Sequence, residues 1–230
     1  MKKMRLILLA ILSWPLIALP ATSDDPQRYQ VELIVFARVN VQSTWPTPVR
    51  PPPDYSAARQ LDLGGEMEPA MVPITHSSHR DWQLLPETDW MLKPESDRLQ
   101  RRSDFELLIH LSWIQPAASR QQPQPVRLRL PERETTLLPE LELLRGGTTQ
   151  HTIPLDGTAS LHRGQYLHLA VDLFYCRPRT HPPLRTQPDC WRLQQSYRVR
   201  PGRLYYYDHR QFGVLAQIRE ITPEPETGAL

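Results

Sequence analysis

The densest group of residues able to recognise a ligand lies near the C-terminus. Tyr197-Arg198-Val199-Arg200 is followed, across Pro201-Gly202, by Tyr205-Tyr206-Tyr207-Asp208-His209-Arg210. Phenol rings beside guanidinium groups can stack on a sugar and hydrogen-bond a carboxylate. The same residues can serve instead as cross-strand Tyr–Arg pairs, each stabilising a sheet by a few tenths to about 1 kcal/mol. In a hairpin turning at Pro201-Gly202, alternation puts Tyr197 and Val199 opposite Arg198 and Arg200.

The chain holds eight histidines. His76 and His79 have a spacing that zinc sites use, but Asp81 is the only acid close by, so no metal site is expected. His110, His168 and His209 fall on or beside strands, where a lone histidine is usually a satisfied structural residue. There is no G-x-S-x-G, no H-E-x-x-H and no Gly-rich phosphate loop, so no catalytic or cofactor-binding residue is expected. Paired carboxylates for glycoside cleavage could lie far apart in the chain, and nothing points to them. Cys176 and Cys190, the only cysteines, enclose RPRTHPPLRTQPD. Two cysteines in an exported chain are expected to pair, and a bridge over such a loop contributes about 3 kcal/mol. Pairing leaves no thiol nucleophile.

Export is expected from the N-terminus. Met-Lys-Lys-Met-Arg precedes LILLAILSWPLIALPATS, a basic head, a short apolar run and a small-residue exit. This is the pattern of a cleavable secretory signal over residues 1–23; Leu19-Pro20-Ala21 is a competing cleavage motif. No cysteine at the exit marks a lipoprotein. The formal charge of +2 includes Lys2, Lys3 and Arg5; removing these leaves 24 basic against 25 acidic residues. A mature chain so nearly neutral has no field for phosphate binding, so no nucleic acid partner is expected. Lys93 is then its only lysine.

With 25 prolines in 230 residues, a mainly helical protein is excluded. The prolines crowd 45–94 and 178–188 and are absent from four clear strands, Tyr29–Arg38, Asp104–Gln115, Gln165–Tyr175 and Phe212–Ile221. In the first, Val31, Leu33, Val35 and Ala37 oppose Glu32, Ile34 and Phe36. In the second, Phe105, Leu107, Ile109, Leu111 and Trp113 share one face. Val126–Leu130 alternates; Thr152–Arg163 reads as one or two short strands bending at Leu155-Asp156-Gly157; Ser96–Arg102 reads as a helical turn or the end of a short helix. Trp45, Trp82 and Trp90 either pack over a sheet edge or form an exposed platform. The expected class is α+β: a mostly antiparallel sheet, minor helix and long proline-rich loops, with one domain over 24–221 and a disordered tail at 222–230.

Five motifs in order carry a resemblance. They are Tyr29–Arg38; His110-Leu111-Ser112-Trp113-Ile114-Gln115; Leu155-Asp156-Gly157 leading to Gln165-Tyr166-Leu167-His168-Leu169; Arg198-Val199-Arg200; and Tyr206-Tyr207-Asp208-His209 with Phe212-Gly213. Together they resemble the CsiV family of periplasmic peptidoglycan-binding proteins. The resemblance implies a non-enzymatic wall-binding protein that promotes synthesis through the lipoprotein activator of a bifunctional class A penicillin-binding protein. The positions carried over by motif are His110, Trp113, Gln115, Tyr166, His168, Arg198, Arg200, Tyr206, Asp208 and His209. The chain departs from the family at Gln165, where an arginine is usual, at Tyr205-Tyr206, where a His-Tyr pair is usual, and at Arg210, where proline is usual. Two other functions stand beside this one: an envelope adaptor using the Trp45–Trp90 region, and a wall hydrolase.

Overall fold

The computed structural model describes residues 27–41, 55, 58–60, 82–136, 149–177 and 188–222. The expected signal peptide, the 223–230 tail, Trp45, His76, His79 and the 178–187 part of the cystine loop lie outside the described residues. In chain order the strands are β1 (Arg28–Arg38), β2 (Arg59–Gln60), β3 (Gln83–Leu84), β4 (Phe105–Pro116), β5 (Ala118–Ser119), β6 (Val126–Arg129), β7 (Arg133–Thr136), β8 (Thr149–Thr152), β9 (Leu155–Arg163), β10 (Leu167–Arg177), β11 (Asp189–Arg198), β12 (Leu204–Asp208) and β13 (Phe212–Ile221). The helix α1 spans Lys93–Gln100, preceded by a 3₁₀ turn at Glu87–Asp89. Mostly antiparallel strands and one short helix are the broad class expected. Instead of a single mostly antiparallel sheet, however, the described residues form two large ones.

The first sheet runs β12-β13-β1-β4-β3 and the second β11-β10-β9-β6-β2; β7 and β8 form a separate ribbon. Among the described residues only β2–β6 and β5–β9 pair in parallel. Alternation explains why the two large sheets share one core. Tyr29, Val31, Leu33, Val35 and Ala37 of β1 meet Leu167, Leu169, Val171, Leu173 and Tyr175 of β10 in one cluster. Burial of such side chains stabilises by roughly 1.5–3 kcal/mol each. The other face of β1 is closed as well: Ile34 and Phe36 pack with Leu92 at the start of α1 and with Phe105 and Leu107. A central strand covered on both faces accounts for the unbroken apolar run in its sequence.

Three expectations are corrected. The single apolar face drawn for the second strand is broken by a bulge. Val35 pairs with Ile109 but Phe36 pairs with Leu107, so Leu108 is the extra residue. Leu108 and Ile109 both turn to the inter-sheet core, and Phe105 and Leu107 go to the outer cluster. Second, Leu155-Asp156-Gly157 is no bend; it lies inside β9, paired with Tyr175, Phe174 and Leu173. Gly157 is needed for that close approach, because a Cβ there would lie 2.2 Å from the Asp172 carbonyl oxygen and 2.7 Å from Leu173 Cα.

Third, Pro201-Gly202 does not close a hairpin. β11 pairs with β10 in the second sheet, while β12 pairs with β13 in the first. The turn itself is as its residues dictate: Gly202 has φ +78°, and the Arg203 N–H donates to the Arg200 carbonyl at 3.3 Å, a type II turn. The Gly202 N–H donates to Ile218 at 2.7 Å, tying the crossing to the first sheet. Where β11 and β12 meet, the Gln195 amide replaces a strand partner. Its Nε2 donates to the Asp208 carbonyl at 3.1 Å and its Oε1 accepts from the Asp208 N–H at 3.3 Å.

The cysteines do pair. Cys176 and Cys190 stand directly opposite on β10 and β11 and form a disulfide. Trp82 packs against the core, and Trp90 covers the first sheet's outer face.

Candidate functional site

The outer face of the second sheet carries an exposed row of polar rings. Because Leu167, Leu169 and Leu173 enter the core, His168 on the intervening face points outward. Register places it opposite His162 on β9 and opposite Arg198 on β11. The two imidazoles stack with centroids 5.5 Å apart and planes 11° from parallel. Tyr166, in the turn between β9 and β10, is 41% exposed and lies under Arg198, whose Cζ is 3.3 Å from the ring centroid. That is a guanidinium set directly on an aromatic face. Among the described residues its N–H groups make no hydrogen bond. Burial first, then His168 and Arg120, hold His162 below the ordinary imidazole pKa. Tyr166, His168 and Arg198 are thus brought together, and His162 joins them.

Tyr206, Asp208 and His209 gather at a different place, around Arg38 at the end of β1. Arg38 donates to Asp208 Oδ1 at 2.8 Å, to the Tyr206 hydroxyl at 2.5 Å and to the His209 carbonyl at 2.6 Å. The Tyr206 hydroxyl donates in turn to Asp208 at 2.6 Å. Burial and the Asp208 contact push Tyr206 up to about 12, and the Tyr206 and Arg38 bonds hold Asp208 below the usual carboxylate range. Burial pulls His209 down. These groups satisfy one another, so the knot pins β12 to the end of β1. Arg200 is exposed on the sheet-crossing turn, its backbone N–H bonded to the Tyr205 hydroxyl at 2.7 Å.

The remaining motif residues lie inside. Trp113 and Gln115 are fully buried, and Trp113 Nε1 donates to Gln115 Oε1 at 2.7 Å. His110 has its side chain 6% exposed, with Nε2 2.8 Å from Glu32 Oε1 and its ring 4.0 Å from that of Trp90. Fully buried Glu32 also accepts from the backbone N–H groups of Met91 and Leu92, at 2.5 and 2.8 Å. Leu92 is the N-cap of α1 and offers no side-chain cap, so a carboxylate from β1 meets the amides leading into the helix.

Over residues 4–221 the chain matches the family described as peptidoglycan-binding protein, CsiV. The chain belongs to the CsiV family. No curated protein and no solved structure matches it.

For a CsiV protein the division of the motif residues has a chemical meaning. A wall polymer can reach Tyr166, His168, Arg198 and Arg200, and cannot reach Trp113 or Gln115 without unfolding β4. The exposed set supplies an aromatic surface, a delocalised cation and imidazole donors, which suit sugar rings and carboxylates. Nothing in the set forms a nucleophile with an adjacent base. Sequence reasoning missed His162, Arg38 and Glu32. Glu32 alone left a signal there, as a charge inside the apolar run VELIVF. His162 and Arg38 become notable only through their neighbours across strands.

Proposed function

We propose that this CsiV protein is exported by a cleavable signal, works in the periplasm, and binds peptidoglycan without cleaving it. Its role is to support wall synthesis through the lipoprotein activator of a class A penicillin-binding protein. The observation that carries the binding half of this reading is the Tyr166–Arg198 platform with its adjoining His168–His162 row, exposed beside the sheet-crossing turn that bears Arg200. It offers stacking and charge-assisted hydrogen bonding at one spot. The polymer supplies both partners, in the faces of its sugars and the carboxylates of its stems.

The test is cosedimentation with purified sacculi at low salt. The mature protein pellets with the wall. Arg198→Ala with Arg200→Ala lowers the bound fraction by about tenfold in affinity, the scale expected for central binding residues. A folded double mutant that binds as well as the parent removes these arginines from the site. Release of soluble muropeptides during the same incubation would show a hydrolase instead. Co-purification with the activator from envelope extracts checks the second half.

A further inference from the structure

The first sheet carries a groove that the wall-binding platform does not use. It has a volume of about 440 Å³ and lies between the 85–91 segment and the outer face of β1, β4 and β13. That is within the roughly 300–1,000 Å³ typical of sites for small ligands. Its floor follows from register: Arg219, Gln30 and Ile114 stand side by side on β13, β1 and β4. Gln30 is fully buried and held from three sides. Its Nε2 donates to the Asp89 carbonyl and to Ser112 Oγ, each at 2.9 Å, and its Oε1 accepts from Arg219. The amide therefore fixes the Arg219 guanidinium at the rim. Asp89, from the 3₁₀ turn, lines the groove across from it, its carboxylate engaged by the Thr88 hydroxyl at 3.2 Å. Among the described residues neither Arg219 nor Asp89 has an ion-pair partner. Met91, Ile114 and Ile221 add apolar wall.

An oriented guanidinium, an opposing carboxylate and an apolar wall are complementary to a short zwitterionic peptide. They suit a wall sugar poorly. Where stems are attached, the lactyl carboxyl of the muramyl sugar is taken up in an amide bond, so the sugars themselves are uncharged and ask for an open aromatic face, and the Trp90 ring here lies against His110. We propose that this groove binds the peptide stem of peptidoglycan: Arg219 takes a free stem carboxylate and Asp89 the ammonium of the stem's diamino acid. The inference rests on the peptidoglycan-binding reading. It assigns sugar and peptide to opposite outer faces of the molecule.

The test titrates the full mature chain, followed by amide NMR shifts and calorimetry, with two separate probes. One is a synthetic stem tetrapeptide with a free C-terminal carboxylate and a free diamino-acid ammonium; the other is peptide-free glycan strands. The tetrapeptide is expected to bind and to shift the amides around Gln30, Asp89 and Arg219. Arg219→Gln weakens it by about tenfold or more, as loss of a charge-assisted bond predicts. Asp89→Asn, on an exposed turn, weakens it independently, and neither variant changes glycan binding. Equal tetrapeptide affinity in parent and both variants overturns the groove, as does a glycan-binding protein that ignores the tetrapeptide. If sacculi, glycan and tetrapeptide all fail to bind, the wider reading falls with it. Binding of the tetrapeptide alone, sensitive to Arg219, upholds the groove and removes the platform.

Discussion

The two outer faces of the molecule use similar residues for opposite ends. Each sheet turns a histidine away from the core, His110 on β4 and His168 on β10, and each histidine meets another ring. On the first sheet, α1 and the segment before it close over His110, and fully buried Glu32 becomes the anchor for both. On the second sheet, the His168 end stays open, with Tyr166 exposed under Arg198. The difference teaches that a motif histidine acquires its role from what covers it. A carboxylate in the dry face must be bonded on every side, whereas the wet face can keep donors for a ligand.

The largest effect that could break this comparison is on the covered face. Glu32→Ala leaves the Met91 and Leu92 amides and His110 without their shared partner, and should cost about 3–5 kcal/mol. Urea unfolding measures it, and a loss under about 1 kcal/mol would mean that Glu32 anchors nothing. Next is the disulfide, which joins β10 and β11 at the end opposite to His168 and Arg198. Replacing Cys176 and Cys190 with serine should cost about 3 kcal/mol of stability, with sacculus binding intact at temperatures where the protein stays folded. A binding defect under those conditions would extend the site toward the cystine loop.

A smaller effect separates the two histidines. His110→Ala should cost about 2 kcal/mol, through a cavity and a lost bond. His168→Ala should change stability by no more than about 0.5 kcal/mol and weaken wall binding a few-fold. Reversed outcomes would exchange the roles of the two faces.

The smallest effect concerns pH. His162 and His209 are both held below the imidazole reference of 6.5, chiefly by burial. Their neutral forms favour the folded state, so their contribution is complete above 6.5 and is lost as pH falls from there through the depressed folded values. Asp208, held below its carboxylate reference of 3.8, contributes in a separate, more acidic window. Melting curves between pH 7.5 and 5 should show a decline that His162→Asn makes shallower. An unchanged slope would show that the His162 environment has no bearing on stability.

Much of the fold was legible because β-structure writes its faces into neighbouring residues. The inward set of β1 and the alternation of β10 were readable without any partner. The bulge at Leu108 was not, since both LLIHL and its neighbours keep an acceptable period until paired with Val35-Phe36. The sheet change at Pro201-Gly202 was invisible for a similar reason: the dipeptide specifies a type II turn, and such a turn serves a hairpin or a crossing equally. At the site, Tyr166, His168 and Arg198 were legible as types, through the family motifs. Their meeting depends on register between β9, β10 and β11, and the partners His162 and Arg38 had no local signature.

By itself, the amino-acid sequence determined where strands form, which side of each is apolar, and that two cysteines are available to one another. These are short-range consequences of the pleat and of residue chemistry. It also determined that the prolines fall outside the four clear strands. Only the tertiary structure decided which sheet each strand entered and which outer face α1 covered. Those choices are made by hydrogen bonds and burial between residues far apart in the chain. They explain why His110 is sealed against Glu32 while His168 stands on an open face.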